Sequence, residues 1–160
     1  MAEAQIVLRA SDGETLAVPC AAARLSSVLR SLIEDHGYEN GMDADAAPIE
    51  IPNIDKPTLR RVFKFCKRYA ATEEQSAVWD AAYVEPATVP TNTLLELLRA
   101  ANFLDIRRLM TLISNAVAAR LRGKTTAEIR AAFGLPDDLT AAEKAAIDRE
   151  HAWCVQAPTR

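Results

Sequence analysis

Residues that could carry out chemistry are few and lie far apart in this chain of 160 residues. His36 and His151 are its two histidines, and neither has a second metal ligand at a suitable spacing. Cys20, Cys66 and Cys154 are odd in number and widely separated, so they predict neither a disulfide framework nor a paired-cysteine metal site. The sequence contains no Gly-x-Ser-x-Gly elbow and no His-Glu-x-x-His motif. We therefore expect no metal, no cofactor and no catalytic residues.

A nucleotide site is not expected either. Gly123-Lys124-Thr125 resembles the end of a phosphate-binding loop, but that loop needs a glycine where this chain has Ala118. The stretch also follows a predicted helix, whereas a phosphate-binding loop follows a strand.

The segment 56–68 is strongly basic and is the best candidate for contact with nucleic acid. Its basic residues are Lys56, Arg60, Arg61, Lys64, Lys67 and Arg68. The net charge of −3 and the lack of interleaved exposed aromatics favour a solvated helix face instead. We therefore expect no nucleic-acid partner and keep a nucleic-acid-binding regulator that uses this helix as an alternative.

Composition indicates an ordinary folded protein, since 49% of the residues are hydrophobic and 26% are charged. No apolar run approaches the length of about 18 residues that spans a bilayer, so we expect no membrane contact. The first residues have neither the basic nor the apolar region of a signal peptide. With the cysteine pattern, this predicts a reducing compartment, the cytoplasm and the nucleus.

The elements predicted to position any site begin with a small sheet. Asp12-Gly13 separates two β-prone runs, 6–10 and 15–18, and predicts a hairpin. A helix is predicted over 20–36, an acidic loop over 34–50, and a short strand over 49–51. Asp55 is predicted to cap the next helix, whose apolar stripe is Leu59, Val62, Phe63, Cys66 and Tyr69.

The second half of the chain is predicted to be helical after a looser linker over 71–90. The helices are expected near 93–103, 105–122, 126–133 and 140–154. Capping-box spacing, Thr or Ser followed by Glu three residues later, occurs at Thr93, Thr125 and Thr140. Gly123 and Gly134 are placed to end helices. The fold class is therefore α+β, with a helical tail.

Apolar surplus is the most informative feature of the helices. The stretch 94–104 is apolar on most sides, so it is either a central core helix or a helix with one face on a partner. In the tail, Ile147 and Trp153 are the large apolar residues of a stripe that is otherwise alanine. Burial of a Trp removes up to about 250 Å², so Trp153 should contact the preceding helices or another chain.

Five motifs in order resemble the S-phase kinase-associated protein 1 family, over residues 6 to 154. They are Ser11-Asp12-Gly13-Glu14, Ile51-Pro52-Asn53-Ile54, Val78-Trp79-Asp80, the run from Leu94 to Ile106, and Gly123-Lys124-Thr125 with Glu128-Ile129-Arg130 and Phe133. The ending Glu150-His151-Ala152-Trp153-Cys154 is similar to that of the family. Leu95 and Phe103 stand where the family usually has Phe and Tyr.

This resemblance implies a protein that is not an enzyme but an adaptor of SCF-type ubiquitin ligases, which bridges a cullin scaffold to F-box proteins. It implies a BTB/POZ domain over 1–122, a small three-stranded sheet flanked by helices, and a C-terminal helical extension over 123–160. The implied F-box surface consists of Leu94, Leu98, Val117, Leu121, Ile129, Phe133, Leu135 and Trp153. The implied cullin surface centres on Asn102 and Phe103. An empty F-box surface is expected to drive formation of a homodimer when the protein is alone.

An elongin C-like BTB adaptor is a second alternative. That type normally stops after the BTB helices, whereas this chain continues through Phe133 and Trp153.

Overall fold

The computed structural model describes residues 4–43, 46–71, 77–85 and 89–155, with the backbone alone for 154 and 155. The chain divides into two compact units, Met1–Gly123 and Lys124–Arg160. Parts of the predicted acidic loop and linker, at 44–45, 72–76 and 86–88, lie outside the described residues. Among the helices of the described ranges, none is long and apolar enough to cross a membrane.

The first unit begins with a three-stranded sheet in the order β2-β1-β3. The strands are β1 (Gln5–Arg9), β2 (Thr15–Pro19) and β3 (Ile49–Glu50). β1 and β2 form the predicted hairpin and are antiparallel, while β3 lies parallel to β1. Gly13 has a φ of 81°, which is the left-handed conformation that the turn requires. The side chain of Asp12 accepts a hydrogen bond from the backbone N–H of Glu14 at 3.0 Å, which stabilises the same turn.

The predicted continuous helix over 20–36 is wrong. The chain forms α1 (Cys20–Ala23) and α2 (Ser27–His36), separated by residues 24–26. Ser26 is extended and its hydroxyl accepts the N–H of Leu29 at 3.2 Å, so it caps a new helix rather than continuing the old one. Leu25, which lies in the break between the two helices, is exposed.

The basic segment forms α3 (Lys56–Ala71), as predicted. Asp55 accepts a hydrogen bond from the N–H of Thr58 at 3.2 Å, which confirms the predicted cap. All five residues of the predicted apolar stripe are buried.

The linker over 71–90 was predicted to be irregular, but it contains α4 (Ala77–Tyr83). The rings of Trp79 and Tyr83 stack with their centroids 5.1 Å apart, and each also packs against Phe65 of α3. The hydroxyl of Tyr83 donates to the carbonyl of Arg61 at 2.9 Å. These contacts with α3 stabilise a helix that local sequence alone does not indicate.

Two longer helices complete the first unit: α5 (Thr91–Phe103) and α6 (Arg107–Leu121). The capping box predicted at Thr93 is wrong, because α5 begins after Pro90 and Thr93 lies inside its first turn. The core combines one face of the sheet with the inner faces of α2, α3, α5 and α6. Its largest side chains are Ile6, Leu8, Leu29, Ile33, Leu59, Phe63, Phe65, Leu94, Leu97, Leu104, Leu109 and Ile113.

The second unit contains α7 (Thr126–Phe133), α8 (Ala141–Glu150) and a short 3-10 helix (Ala152–Val155). The capping boxes predicted at Thr125 and Thr140 are both formed. Gly134 ends α7 in the left-handed conformation, as predicted. The helix predicted over 140–154 is shorter, because the backbone of His151 leaves the helical conformation. The predicted α+β class is confirmed.

Candidate partner-binding site

The C-terminal end of α5 presents Asn102 and Phe103 to solvent. The helix turns its inner face, with Leu97, Ala100 and Ala101, into the core. Asn102 is exposed, and 41% of Phe103 is accessible. Aromatic side chains such as Phe103 are enriched at protein interfaces.

A buried turn directly after Phe103 fixes this end of the helix. Leu104 and Ile106 are buried, and Asp105 between them has a left-handed φ of 47°. The hydroxyl of Ser26 donates to the carbonyl of Leu104, and the hydroxyl of Ser27 donates to the carboxylate of Asp105. The start of α2 therefore holds the turn that positions Asn102 and Phe103.

A cavity of about 450 Å³ lies beside these two residues. It is formed by the hairpin turn, the loop before α3 and the outer face of α5. Its polar lining includes Ser11, Asn53, Glu96 and Arg99. An interface that uses Phe103 therefore has a polar recess next to its apolar centre.

Hydrogen bonds tie the two loops of the cavity together. The N–H of Ser11 donates to the carbonyl of Ile54, and the N–H of Lys56 donates to the carboxylate of Asp12, at 2.9 and 3.0 Å. The backbone N–H of Lys56 holds the pKa of Asp12 below its ordinary value. The ammonium of Lys56 pairs with Glu14 at 2.6 Å. These contacts keep the recess preformed.

Sequence reasoning predicted only Asn102 and Phe103 of this cavity and missed its other lining residues, among them Ser11, Asn53, Glu96 and Arg99. Ser11 and Asn53 belong to motifs that carried the family resemblance, but no role was predicted for them. Glu96 was predicted to be part of a capping box that does not form, and it lines the cavity instead. Its position three residues before Arg99 and six before Asn102 on one helix is the signal that could have grouped them.

Four of the eight predicted F-box-binding residues lie in the first unit, on α5 and α6. Leu98, Val117 and Leu121 are half-buried and retain accessible surface. Leu94 is fully buried, so its side chain belongs to the core and offers no surface to a partner in this structure. The prediction of a direct contact at Leu94 conflicts with that burial.

Arg120 connects α6 to the start of α5. Its guanidinium donates to the hydroxyl of Thr91 at 3.2 Å and to the carbonyls of Val84 and Val89 at 3.2 and 2.7 Å. The apolar residues Val117 and Leu121 lie three before and one after it on α6. Arg120 therefore fixes the end of the helix that carries them.

The other four predicted residues lie in the second unit. Ile129 and Phe133 are half-buried, whereas Leu135 is 56% exposed and Trp153 is 75% exposed. Ile147 is also exposed. Across residues 124–153, no side chain of this unit is buried. Residues 124–153 thus present large apolar side chains and contain no buried core.

Polar contacts shape the second unit. Glu128 and Glu143 each accept hydrogen bonds from the capping threonine three residues earlier. Asp137 bridges Arg130 at 3.3 Å and Lys144 at 2.6 Å. The hydrogen bonds from threonine, and for Asp137 the bond from Lys144, lower the pKa of all three carboxyl groups.

Comparison with known proteins identifies the family. The model of the Skp1 family dimerisation domain matches residues 107–154, and that of the Skp1 family tetramerisation domain matches residues 4–71. SKP1-like protein 1A of Arabidopsis thaliana is 31% identical over 98% of this chain and 100% of that protein. The chain belongs to the Skp1 family. A Skp1-related protein of Caenorhabditis elegans is 32% identical over 95% of this chain and 92% of its own length. SKP1-like protein 3 of Arabidopsis thaliana is 35% identical over 94% of this chain and 96% of its own length.

Membership in the Skp1 family confirms the resemblance and the BTB/POZ fold predicted from it, since the POZ match covers the sheet and α3. Skp1 family proteins are adaptors rather than enzymes, and membership supports an SCF adaptor role in general terms. The match over 107–154 includes the helices beyond α6, which the elongin C-like alternative normally lacks. Within the described ranges, no cluster of three or more metal-ligating side chains is present.

Proposed function

We propose that this protein bridges a cullin scaffold and F-box proteins in an SCF-type ubiquitin ligase. In this proposal, the second unit and the exposed sides of α5 and α6 bind the F-box protein. The end of α5, with Asn102 and Phe103, binds the cullin. The catalytic gain comes from proximity, because the adaptor brings substrate and ubiquitin-transfer machinery into one complex.

The strongest support is that no side chain of the second unit is buried across residues 124–153. Its helices, of eight and ten residues, are shorter than the roughly 12–15 residues at which isolated helices become even marginally stable in water. Trp153 and Leu135 remain largely exposed, although burying such side chains normally provides the driving force for folding. A partner that covers these side chains would supply the missing apolar contacts.

Phe103 and its recess support the second surface. The turn held by Ser26 and Ser27 keeps Phe103 in place before a partner arrives, which lowers the entropy cost of binding. The recess is lined by two acidic residues, a basic residue and two amides, so it can recognise polar groups around an apolar contact.

Pairwise affinities test the proposal. Wild type, Trp153→Ala and Asn102→Lys would be titrated separately with an F-box protein and with a cullin N-terminal fragment. We expect Trp153→Ala to weaken F-box binding by about 2 kcal/mol or more and to leave cullin binding unchanged. Asn102→Lys should do the reverse, because it places a long cation at the centre of the cullin surface.

Two matched controls separate surface effects from general ones. Val78→Ala truncates another exposed apolar side chain, and Asn92→Lys adds the same charge at the other end of α5. Neither control should change either affinity by more than about twofold. The proposal would be refuted if the wild-type protein failed to bind either one of the two partners.

A further inference from the structure

An apolar groove of about 360 Å³ lies between β2 and α3. Leu16 and Val18 of the strand and Phe63 of the helix form its floor. It shares no lining residue with the cavity beside Phe103. A volume near 300 Å³ is at the lower end of ligand sites and accommodates one or two side chains.

Four cations form the walls of this groove: Arg60, Arg61, Lys64 and Lys67. They occur at intervals of one, three and three residues, so they share one face of α3. The opposite face is the buried stripe with Leu59, Val62 and Cys66. All four cations are exposed.

Among the residues that the structure describes, no carboxylate neutralises the charges of these four side chains. Within the described part of the chain, none of them forms an ion pair or a side-chain hydrogen bond. Lys56, at the start of the same helix, is paired with Glu14. Four like charges above an apolar floor produce a concentrated positive potential that attracts acidic groups. Their mutual repulsion is relieved when an acidic partner binds.

We propose that this groove, called the basic groove, binds an acidic peptide segment of a partner protein. The segment would place one bulky apolar side chain against Leu16 and the aliphatic stems of the four cations, with carboxylates on either side paired to their charged ends. Charge complementarity of this kind provides specificity and fast association. The proposal does not depend on binding of cullin or F-box proteins, which concerns other residues.

The same observations disfavour nucleic acid as the occupant. Phe63 is buried except for about 1% of its surface, so the groove offers no aromatic face for base stacking. The chain has a net charge of −3, which opposes approach of a long polyanion. A short acidic peptide needs only the local potential of the groove.

The experiment measures peptide binding to the full chain by fluorescence anisotropy. The first probe is a short labelled peptide with one Leu flanked on both sides by Glu. A second peptide has Ser in place of Leu, a third has Gln in place of Glu, and a DNA duplex is the fourth probe. We expect the first probe to bind about tenfold more tightly than the others.

Variants on α3 assign the binding to the groove. Lys64→Glu should weaken the first probe about tenfold. Arg68→Glu is the matched control, because Arg68 is exposed on the same helix but does not line the groove. Leu16→Ala, which shortens the floor without changing charge, should weaken the Leu peptide and leave the Ser peptide unchanged. Thermal melting verifies that each variant is folded.

Three outcomes would overturn the proposal. An equal loss of affinity for the first peptide in Lys64→Glu and Arg68→Glu would indicate a general charge effect. Tighter binding of the duplex than of the first peptide would indicate that nucleic acid is the occupant. A concentration-dependent dimer that Lys64→Glu abolishes would indicate a second copy of the chain as the occupant.

Discussion

Replacement of Ser26 by Ala removes a single oxygen atom but should destabilise the first unit substantially. The hydroxyl of Ser26 is fully buried, caps α2 through the N–H of Leu29, and donates to the carbonyl of Leu104. Loss of an N-cap costs about 1 kcal/mol, and removal of a donor from a buried acceptor costs about 1–3 kcal/mol. We therefore expect Ser26→Ala to lower the free energy of unfolding by about 2–4 kcal/mol.

Urea unfolding followed by Trp79 fluorescence measures this effect. The chain has two tryptophans, so a Trp153→Phe background leaves Trp79 as the reporter of the first unit. The midpoint should fall by about 1–2 M for a domain of this size. Ser31→Ala is the control, because Ser31 is exposed on the same helix, and it should change stability by less than about 0.5 kcal/mol.

The same substitution links the fold to the proposed cullin surface. Because Ser26 holds the turn after Phe103, Ser26→Ala should also lower the affinity for the cullin when no urea is present. The affinity for the F-box protein should change little. A loss of stability below about 1 kcal/mol, or an equal loss in Ser31→Ala, would refute the role assigned to Ser26.

Three further results are expected. The pKa values of Glu128, Asp137 and Glu143 are lowered, so their carboxylates stabilise the second unit at any pH above the ordinary pKa values, 4.5 for Glu and 3.8 for Asp. This stabilisation is lost as the pH falls through the lowered pKa values. Circular dichroism should therefore show a loss of helix at acid pH, and Asp137→Asn should make that loss smaller. Trp153→Ala should shift the melting temperature of the free protein by less than Leu94→Ala does, since Trp153 is 75% exposed and Leu94 is buried, and it should weaken self-association in sedimentation experiments. Burial raises the pKa of Cys66 to about 12, so iodoacetamide at neutral pH should modify Cys66 only in urea; rapid reaction of the folded protein would contradict this burial.

Local signals in the sequence were sufficient where a residue acts on its own neighbours. Asp12-Gly13 predicted the hairpin, Asp55 the start of α3, and Thr125 and Thr140 the starts of α7 and α8. In each case a side chain or a left-handed backbone satisfies groups within three residues, so no distant contact is needed.

Long-range contacts explain where the sequence misled. The sequence of 20–36 contains no sign that the hydroxyl of Ser26 donates to the carbonyl of Leu104, 78 residues away. The helix is interrupted at Ser26, where this hydrogen bond is made. Stacking of Trp79 and Tyr83 on Phe65 forms α4 in a segment that reads as a linker. Leu94 was assigned to a surface from the resemblance alone, whereas its depth depends on the packing of α5 in the core.

The sequence predicted some residues of the candidate surfaces but not the cavities in which they lie. Trp153 stood out as a large apolar residue without an obvious local partner, whereas Phe103 was assigned to a surface by the family resemblance alone. The recess beside Phe103 and the basic groove both combine side chains from loops, strands and helices that are distant in sequence. The run of basic residues over 56–68 indicated only the cationic walls of the basic groove, and no predicted feature indicated the recess.

Assembly of a ternary complex tests the bridging role most directly. A cullin N-terminal fragment, an F-box protein and this chain would be mixed and separated by size-exclusion chromatography with light scattering. The account predicts one complex that contains all three proteins, and no association of the cullin with the F-box protein when the chain is omitted. Trp153→Ala should leave only the complex with cullin, and Asn102→Lys only the complex with the F-box protein. Mutually exclusive binding of the two partners would contradict the central claim.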